Sequence, residues 1–486
     1  MVWTVGQTVS SKAATVLQQI IIAKYFLSDD DFGMVAMAQV VVSLASIGAS
    51  LGVGEILVRR HQRFDIWVQI GFWLNVCAGL TGMLLVFGLV PVWNGAFATV
   101  AHLFGRHDAT IPQVQGLLLI WALYLPSDAI LQVIYARLRV DMRFKALAVI
   151  GTFYIVAQAV LAVSFAACGW GPYALVAPVP VVSIATVLIA WRLCGMRIGL
   201  RPKFRRWGFI LKDSRYFLMN NVLNTFLQQG DYMVTGVFFA PAILGAYYWS
   251  YRMSTQTAQL IGANLTGVLL PSFAKMKDEL PRMIAAYKRT CAALLLIGMP
   301  ICFLQSLLAQ PVFHLIFGDR LARELPLFEL LSLGMAFTLP MTASTSLLLA
   351  QGRYRLNMFW TGTMAVTFVA TVLAAAFCGS VIYVAGFVGG YFAIWGPLTV
   401  LLPLKGMGVS KLRFFGDVYV LPVLLAVVSA ACGLGLSRVG SHGDLMQAVL
   451  RLGGWGLSLA VMMALFRPKA AMEVLPRLMK RAPRIA

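Results

Sequence analysis

Lys12, Gln19 and Lys24 stand in the first long apolar stretch of the chain, Asp128 in the fourth, Asn224, Gln228 and Asp231 in the seventh, and Arg252 in the eighth. A charge at the centre of a bilayer costs at least about 2.5–3.5 kcal/mol on insertion scales, so such groups are expected to face a cavity or a partner. Lys12, Thr15 and Gln19 recur at i, i+3 and i+7, which places them on one helical face. Asn220, Asn224, Gln228 and Asp231 do the same one domain later. Arg252 is flanked by Tyr247, Tyr248, Trp249 and Tyr251, with Gln256 and Gln259 one and two turns on. Three cations would suit an anionic group. The amides and aromatic rings would suit hydroxyl-rich sugars. Asp231 and Asp128 are candidate sites for a coupling proton or sodium ion. In the competing reading, Asp231 and Arg252 form a structural ion pair, and Lys12 and Lys24 snorkel to opposite surfaces.

These residues need a lipid-embedded scaffold. Of the 486 residues 60% are hydrophobic and 12% charged, against about 45–50% and about 25% in a soluble globular chain. Only helices and closed barrels satisfy every backbone group in a bilayer, and barrel strands alternate polar with apolar residues. Here the apolar runs are continuous, as over 66–90 and 146–167. The fold expected is an all-α membrane protein of about fourteen helices, each needing roughly 20 residues to span. Span four carries Pro126, which is expected to kink it.

The formal net charge of +21 then becomes an orientation signal. Taking the first span as starting in the cytoplasm, nearly all Lys and Arg fall on the cytoplasmic side: Arg59, Arg60 and Arg63; Arg137 to Lys145; Arg192 to Arg215; Lys275 to Arg289; Arg353 and Arg355; Lys405 to Arg413; and the tail from Arg467. The opposite side has Arg106, Arg320, Arg323 and Arg438. That is the positive-inside pattern. It predicts cytoplasmic termini, contacts with anionic lipids and no nucleic-acid partner, since a nucleic-acid footprint would cluster on one soluble face. The chain begins directly in a span, so no cleaved signal is expected.

Two halves echo each other. AKYFLSDDDFG at 23–33 aligns with TGVFFAPAILG at 235–245, pairing Phe26 with Phe238 and Gly33 with Gly245 at an offset of 212. LPSDAILQVIYARLR at 125–139 aligns with LPMTASTSLLLAQGR at 339–353, an offset of 214 that pairs Arg139 with Arg353. Spans one and seven, and four and ten, are thereby matched, and an even number of spans between them means parallel insertion. The expected division is an N-terminal lobe at 1–195, a basic cytoplasmic linker at 196–215, and a C-terminal lobe at 216–404. An appended helix pair at 405–466 and a basic tail at 467–486 complete it. In a parallel two-repeat bundle the substrate site lies between the halves near mid-membrane.

Catalytic and metal signatures are absent from the sequence. It has no P-loop, HExxH or Gly-x-Ser-x-Gly, and the seven cysteines are scattered through apolar runs with no CxxC. Asp29–Asp31 sits in a short turn and reads as the start of span two rather than as a metal-binding DxD. The chain is therefore expected not to be an enzyme and to need no cofactor beyond a coupling ion.

At these residues the chain resembles the Wzx-type polysaccharide and lipid-linked oligosaccharide flippases of the MATE-related transporter superfamily. The polar first span running into AKYFLSDDDFG carries the likeness, with GVGEILVRR at 52–60, ARLRVDMRF at 136–144, GDYMVTGVFFAPAILGAYYWSYRMS at 230–254, LPSF at 270–273 and LLAQG at 348–352. It covers roughly residues 1–400. The resemblance implies a two-lobed bundle alternating between inward- and outward-open states in the bacterial inner membrane. The cargo would be an undecaprenyl-diphosphate-linked oligosaccharide moved to the periplasmic leaflet for polysaccharide assembly, with polymerase machinery as a partner. The cationic role of such cavities maps onto Lys12, Lys24 and Arg252. Where the family usually has Pro in the turn after span one, Asp29 stands here. A multidrug exporter on the same architecture would favour acidic cavity residues. A membrane-embedded glycosyl- or acyltransferase would need a catalytic His or carboxylate pair at one interface.

Overall fold

The computed structural model describes residues 2–50, 52–54, 57, 64–103, 111–196, 199, 207–262, 265–276, 278–438 and 443–466. The basic clusters at Arg59, Arg60 and Arg63 and at Arg197–Arg206, together with Arg106, Lys277 and the tail, lie outside these residues. All regular structure among the described residues is helical.

The first three spans are α1 (Val2–Tyr25), α2 (Asp29–Ser50) and α3 (Phe64–Leu103). Span four is two pieces, α4 (Ile111–Ala122) and α5 (Leu125–Val140), followed by α6 (Phe144–Ala167). A single turn, α7 (Tyr173–Val176), leads into α8 (Pro178–Cys194). Then come α9 (Trp207–Phe238), α10 (Pro241–Gly262), α11 (Leu265–Lys275) and α12 (Leu280–Phe317). Span ten is again broken, into α13 (Glu324–Met335) and α14 (Met341–Ala350), before α15 (Tyr354–Ala376) and α16 (Val381–Leu401). The appended pair is reached through α17 (Lys411–Phe415) and a π-helical turn, and consists of α18 (Leu421–Ser437) and α19 (Asp444–Phe466).

Every stretch expected to span coincides with a helix or a broken helix. Among the described residues, eleven segments are both long and apolar enough to cross a membrane. The three expected spans not among them are α1, α9 and α10, which have the length, at 24, 32 and 22 residues, but carry most of the intramembrane polar side chains. Large apolar side chains face outward, Leu188 at 62%, Val366 at 69% and Leu457 at 71% exposed, as lipid contact requires.

Contacts divide the chain into two compact units. One contains residues 1–248 with 360–377, the other 249–359 with 378–486. The first has a core of Val53, Leu57, Ile70, Phe72 and Val133. The second packs Phe273, Tyr287, Met299, Leu339, Val400 and Tyr419 together, with the Tyr287 hydroxyl donating to the Val400 carbonyl at 2.7 Å. Within the second unit Arg451 of α19 is 8% exposed and donates to the Leu307 carbonyl and the Gln310 side chain, both at 2.9 Å. That clamps the appended pair to α12.

Local chemistry explains the helix starts and stops. Ser28 closes a capping box on α2: its amide and hydroxyl both donate to Asp31 Oδ2, at 2.9 and 2.8 Å, so the acidic turn is a helix start as expected. Span four breaks at Leu123–Tyr124, and Pro126 lies in the first turn of α5, where a missing amide proton is tolerated.

The duplication is written into the backbone. α2 and α10 begin at residues 212 apart, Asp29 and Pro241. A Cβ on Gly33 would strike the Pro241 carbonyl, and a Cβ on Gly245 would strike the Asp29 carbonyl. Each glycine thus rests on the first residue of the other helix. A reciprocal contact of this kind is what a local two-fold axis produces.

The second pairing needs correction. Helix α5 ends with the Arg143 amide donating to the Leu138 carbonyl at 2.9 Å, over Met142 at φ 54°. Helix α14 ends with the Arg353 amide donating to the Leu348 carbonyl at 3.0 Å, over Gly352 at φ 74°. The guanidinium of Arg143 then reaches the Leu193 carbonyl at 2.9 Å, and that of Arg353 the Pro403 carbonyl at 3.3 Å. All four pairs lie 210 apart, so Arg143, not Arg139, is the counterpart of Arg353. The Leu-Pro pairs do align at 214, but α5 ends 15 residues after Leu125 and α14 ends 11 after Leu339, so a register set at the break drifts by about one turn at the cap.

Candidate functional site

Helix α1 delivers Lys12 half-buried at its middle and Lys24 in its last turn, with the Lys24 Nζ 5.4 Å from the Tyr25 ring centroid. Thr15 returns its hydroxyl to the Ser11 carbonyl at 2.9 Å, which removes a competitor from the same face. Gln19 is 6% exposed, and neither its Nε2 nor its Oε1 finds a hydrogen-bond partner among the described residues. A buried carboxamide left in that state is costly, so its position is one where a ligand or water would be welcomed.

Helix α9 carries the longer polar face. Asn224 is half-buried and donates to the Asn220 carbonyl one turn back at 2.8 Å, while Gln228 is exposed. Asp231 is fully buried. Its Oδ2 accepts from the Tyr247 hydroxyl at 2.8 Å and its Oδ1 from the Tyr232 amide at 2.9 Å. The Thr235 hydroxyl donates to the Asp231 carbonyl at 2.5 Å.

Around this carboxylate lies a group that sequence reasoning did not assemble. The Tyr248 hydroxyl donates to Gln39 Oε1 at 2.7 Å, and Gln39 Nε2 donates to Gln229 Oε1 at 3.4 Å. The Tyr232 ring stands between them, 6.0 Å from the Tyr247 ring and 5.3 Å from the Tyr248 ring. The one available signal was Gln39, a lone amide in the otherwise apolar middle of α2.

Asp128 lies in the first turn of α5, half-buried, with Gln132 donating to its carboxylate. Tyr124, Tyr135 and Tyr154 are its electrostatic neighbours, and Ser46 of α2 hydrogen-bonds Tyr124. This second carboxylate cluster is separate from the Asp231 group in its partners.

In the second unit Arg252 is half-buried on α10, and the side chains of Thr255 and Gln256 donate to its carbonyl at 3.0 and 3.1 Å. Beyond it, Thr257 hydrogen-bonds Gln305 of α12, and Gln305 donates to Ser332 of α13 at 3.0 Å. Of the eight expected residues, Lys12, Gln19 and Lys24 stand on α1, Asn224, Gln228 and Asp231 on α9, Arg252 on α10 and Asp128 on α5. Among the described residues, no group of three or more His, Cys, Asp or Glu could hold a metal ion.

A family model described as "Polysaccharide biosynthesis protein" matches residues 21–326. The succinoglycan biosynthesis transport protein ExoT of Rhizobium meliloti is 26% identical over 78% of this chain and 75% of its own length. The lipopolysaccharide biosynthesis protein WzxC of Escherichia coli is 22% identical over 74% of this chain and 72% of its own. Among solved structures, the lipid II flippase MurJ in an inward closed conformation superposes with a TM-score of 0.72 at 13% identity, over 98% of this chain and 99% of that one. The last likeness shows a shared fold.

Proposed function

Because this chain belongs to the polysaccharide biosynthesis protein family, whose model spans more than half of it, we propose that it is a Wzx-type flippase. It moves an undecaprenyl-diphosphate-linked oligosaccharide from the cytoplasmic to the periplasmic leaflet of the bacterial inner membrane by alternating access. The observation that carries this reading is the polarity of α1, α9 and α10 in a chain whose eleven other spans are apolar. A multi-pass protein spends that insertion cost only where a polar cargo must be met.

In this reading Lys12, Lys24 and Arg252 hold the diphosphate, and Gln19, Asn224 and Gln228 hydrogen-bond the sugar hydroxyls. Basic connections keep both termini in the cytoplasm. Polymerase machinery in the same membrane would take up the product. No catalytic group is required, since the cargo leaves chemically unchanged.

Energy is supplied by an ion gradient, one charge crossing 100 mV being worth about 2.3 kcal/mol. Asp231 is the favoured site, because a fully buried carboxylate held only by a tyrosine hydroxyl and a backbone amide needs a proton or a cation to offset its charge. Asp128 is the second. The test is flipping of the lipid-linked oligosaccharide in proteoliposomes, beside accumulation of that intermediate in a deletion strain. Lys12→Ala and Arg252→Ala should each slow flipping about tenfold or more, the loss of one charge-assisted contact. Flipping no faster than in protein-free vesicles overturns the function. Equal rates with and without a proton or sodium gradient overturn the coupling.

A further inference from the structure

The first unit contains a cleft of about 570 Å³ between α2, α3, α4 and α9 that the polar faces do not use. Met37, Val40 and Leu44 of α2 form one wall, Leu89 of α3 another, and Tyr232 and Gly236 of α9 the floor. No charged side chain lines it, and the Tyr232 hydroxyl is its one side-chain polar group. The deep wall is closed, with Val40 6% and Tyr232 4% exposed, whereas Leu85 and Leu89 at the mouth are 57% and 50% exposed. Both leucines lie within 67–90, a stretch long and apolar enough to cross a membrane.

With one side-chain polar group the cleft falls short of the two to four partners a buried water needs, and apolar cavities of this kind fill with apolar guests. Left empty, it would be far larger than the voids that protein interiors tolerate. Hydrocarbon is the guest that physics allows. Two observations choose which hydrocarbon. The floor residue Tyr232 is also the ring between Tyr247 and Tyr248, so the cleft shares a wall with the Asp231–Gln39 polar group. Moreover, the counterparts of Val40, Leu44 and Ala45 at 212 residues' remove are Arg252, Gln256 and Thr257. One helix face, duplicated, is wholly apolar in the first repeat and in the second carries one cation, one amide and one hydroxyl beside Trp249 and Met253. That division matches an amphiphile with a long apolar tail and an anionic head.

We infer that this cleft is the binding site for the polyisoprenoid chain of the transported lipid, with Tyr232 and Gly236 as its floor and Leu85 and Leu89 as its gate. The inference rests on the flippase reading for the identity of the lipid.

The full chain in nanodiscs would be photolabelled with a diazirine-bearing polyprenyl phosphate, and in parallel with a diazirine-acyl phosphatidylethanolamine. The polyprenyl probe should label peptides 37–45, 85–90 and 232–237, and excess undecaprenyl phosphate should suppress that labelling at least tenfold. Leu89→Trp, a change at the exposed mouth, should reduce it about tenfold without loss of folded protein. Gly236→Leu should act from the floor, where a Cβ meets Leu244 at an ordinary 3.5 Å. Leu188→Trp on the outward face of α8 should leave it unchanged. Equal labelling of the cleft by the phospholipid probe, or no competition by undecaprenyl phosphate, overturns the inference in favour of an ordinary bilayer lipid. Specific labelling in a protein that fails the flipping assay would sink the flippase reading and leave the chain site standing. Normal flipping with no cleft labelling would do the reverse.

Discussion

The two repeats keep the same joints and differ in what they place between them. Both end the second piece of the broken span with a left-handed residue and an arginine that caps a neighbouring helix, Arg143 on Leu193 and Arg353 on Pro403. Both contribute one glycine to the reciprocal crossing of α2 and α10. Yet Asp231 has two hydrogen-bond donors, whereas Gln19, its counterpart at 212, has none among the described residues. The cause is one position away in the pattern: the counterpart of Tyr247, which serves Asp231, is Val35. Duplication conserved the backbone geometry, because joints are set by sterics and capping, and released the side chains on the polar faces to diverge.

The strongest way to break this comparison is at the crossing. Gly245→Val puts carbon into the space of the Asp29 carbonyl, and backbone cannot rotate away as a side chain can. A loss of about 3 kcal/mol or more is expected, at or beyond the upper end of ordinary overpacking. Thermal unfolding followed by size-exclusion in detergent would show it. If the local two-fold is real, Gly33→Val should cost a similar amount; a harmless Gly33→Val beside a damaging Gly245→Val would show that the contact is not reciprocal.

The buried polar pair sharpens the comparison at a smaller scale. Tyr247→Phe removes a donor from a fully buried carboxylate and should destabilise by about 1–3 kcal/mol. Gln19→Met replaces an unpartnered carboxamide with an apolar side chain of similar length, so it should be neutral or stabilising. If the amide instead serves cargo, the same variant should slow flipping while raising the unfolding temperature. A Gln19→Met protein that is both less stable and fully active would show that the residue has a structural partner.

How much of this was legible in the sequence follows from the range of each interaction. Apolar runs located the long spans, and Asp29–Asp31 marked the start of α2, because capping and hydropathy act within a few residues. The 212 register was readable from Phe26, Gly33 and their mates. The 210 register was not, since Leu-Pro at 125–126 and 339–340 is a louder signal than a left-handed Met142. Hydropathy also put the ninth span at about 20 residues, whereas α12 runs 38, its first turns ending in an ion pair between Lys288 and Asp417 that no apolar window can register. Of the candidate site, the faces were visible by spacing. The pairing of Gln39 with Tyr248, 209 residues away, depends on helix packing that no local pattern encodes.

The smallest expected effect tests the cap itself. Met142 sits at φ 54°, where a Cβ is strained, while its counterpart Gly352 sits at φ 74° without one. Met142→Gly should therefore be stabilising or neutral, by up to about 1 kcal/mol, with relief of strain set against the added freedom of the unfolded chain. Gly352→Met should cost about 1 kcal/mol or slightly more, because it adds the strain that the first repeat already carries. Opposite signs from the two exchanges, read as unfolding temperatures on the same protein, would establish that the caps are equivalent in geometry and differ in sequence alone. Equal losses from both would mean that the Met142 side chain has packing of its own that outweighs its backbone strain, and the equivalence would then extend to the hydrogen bonds only.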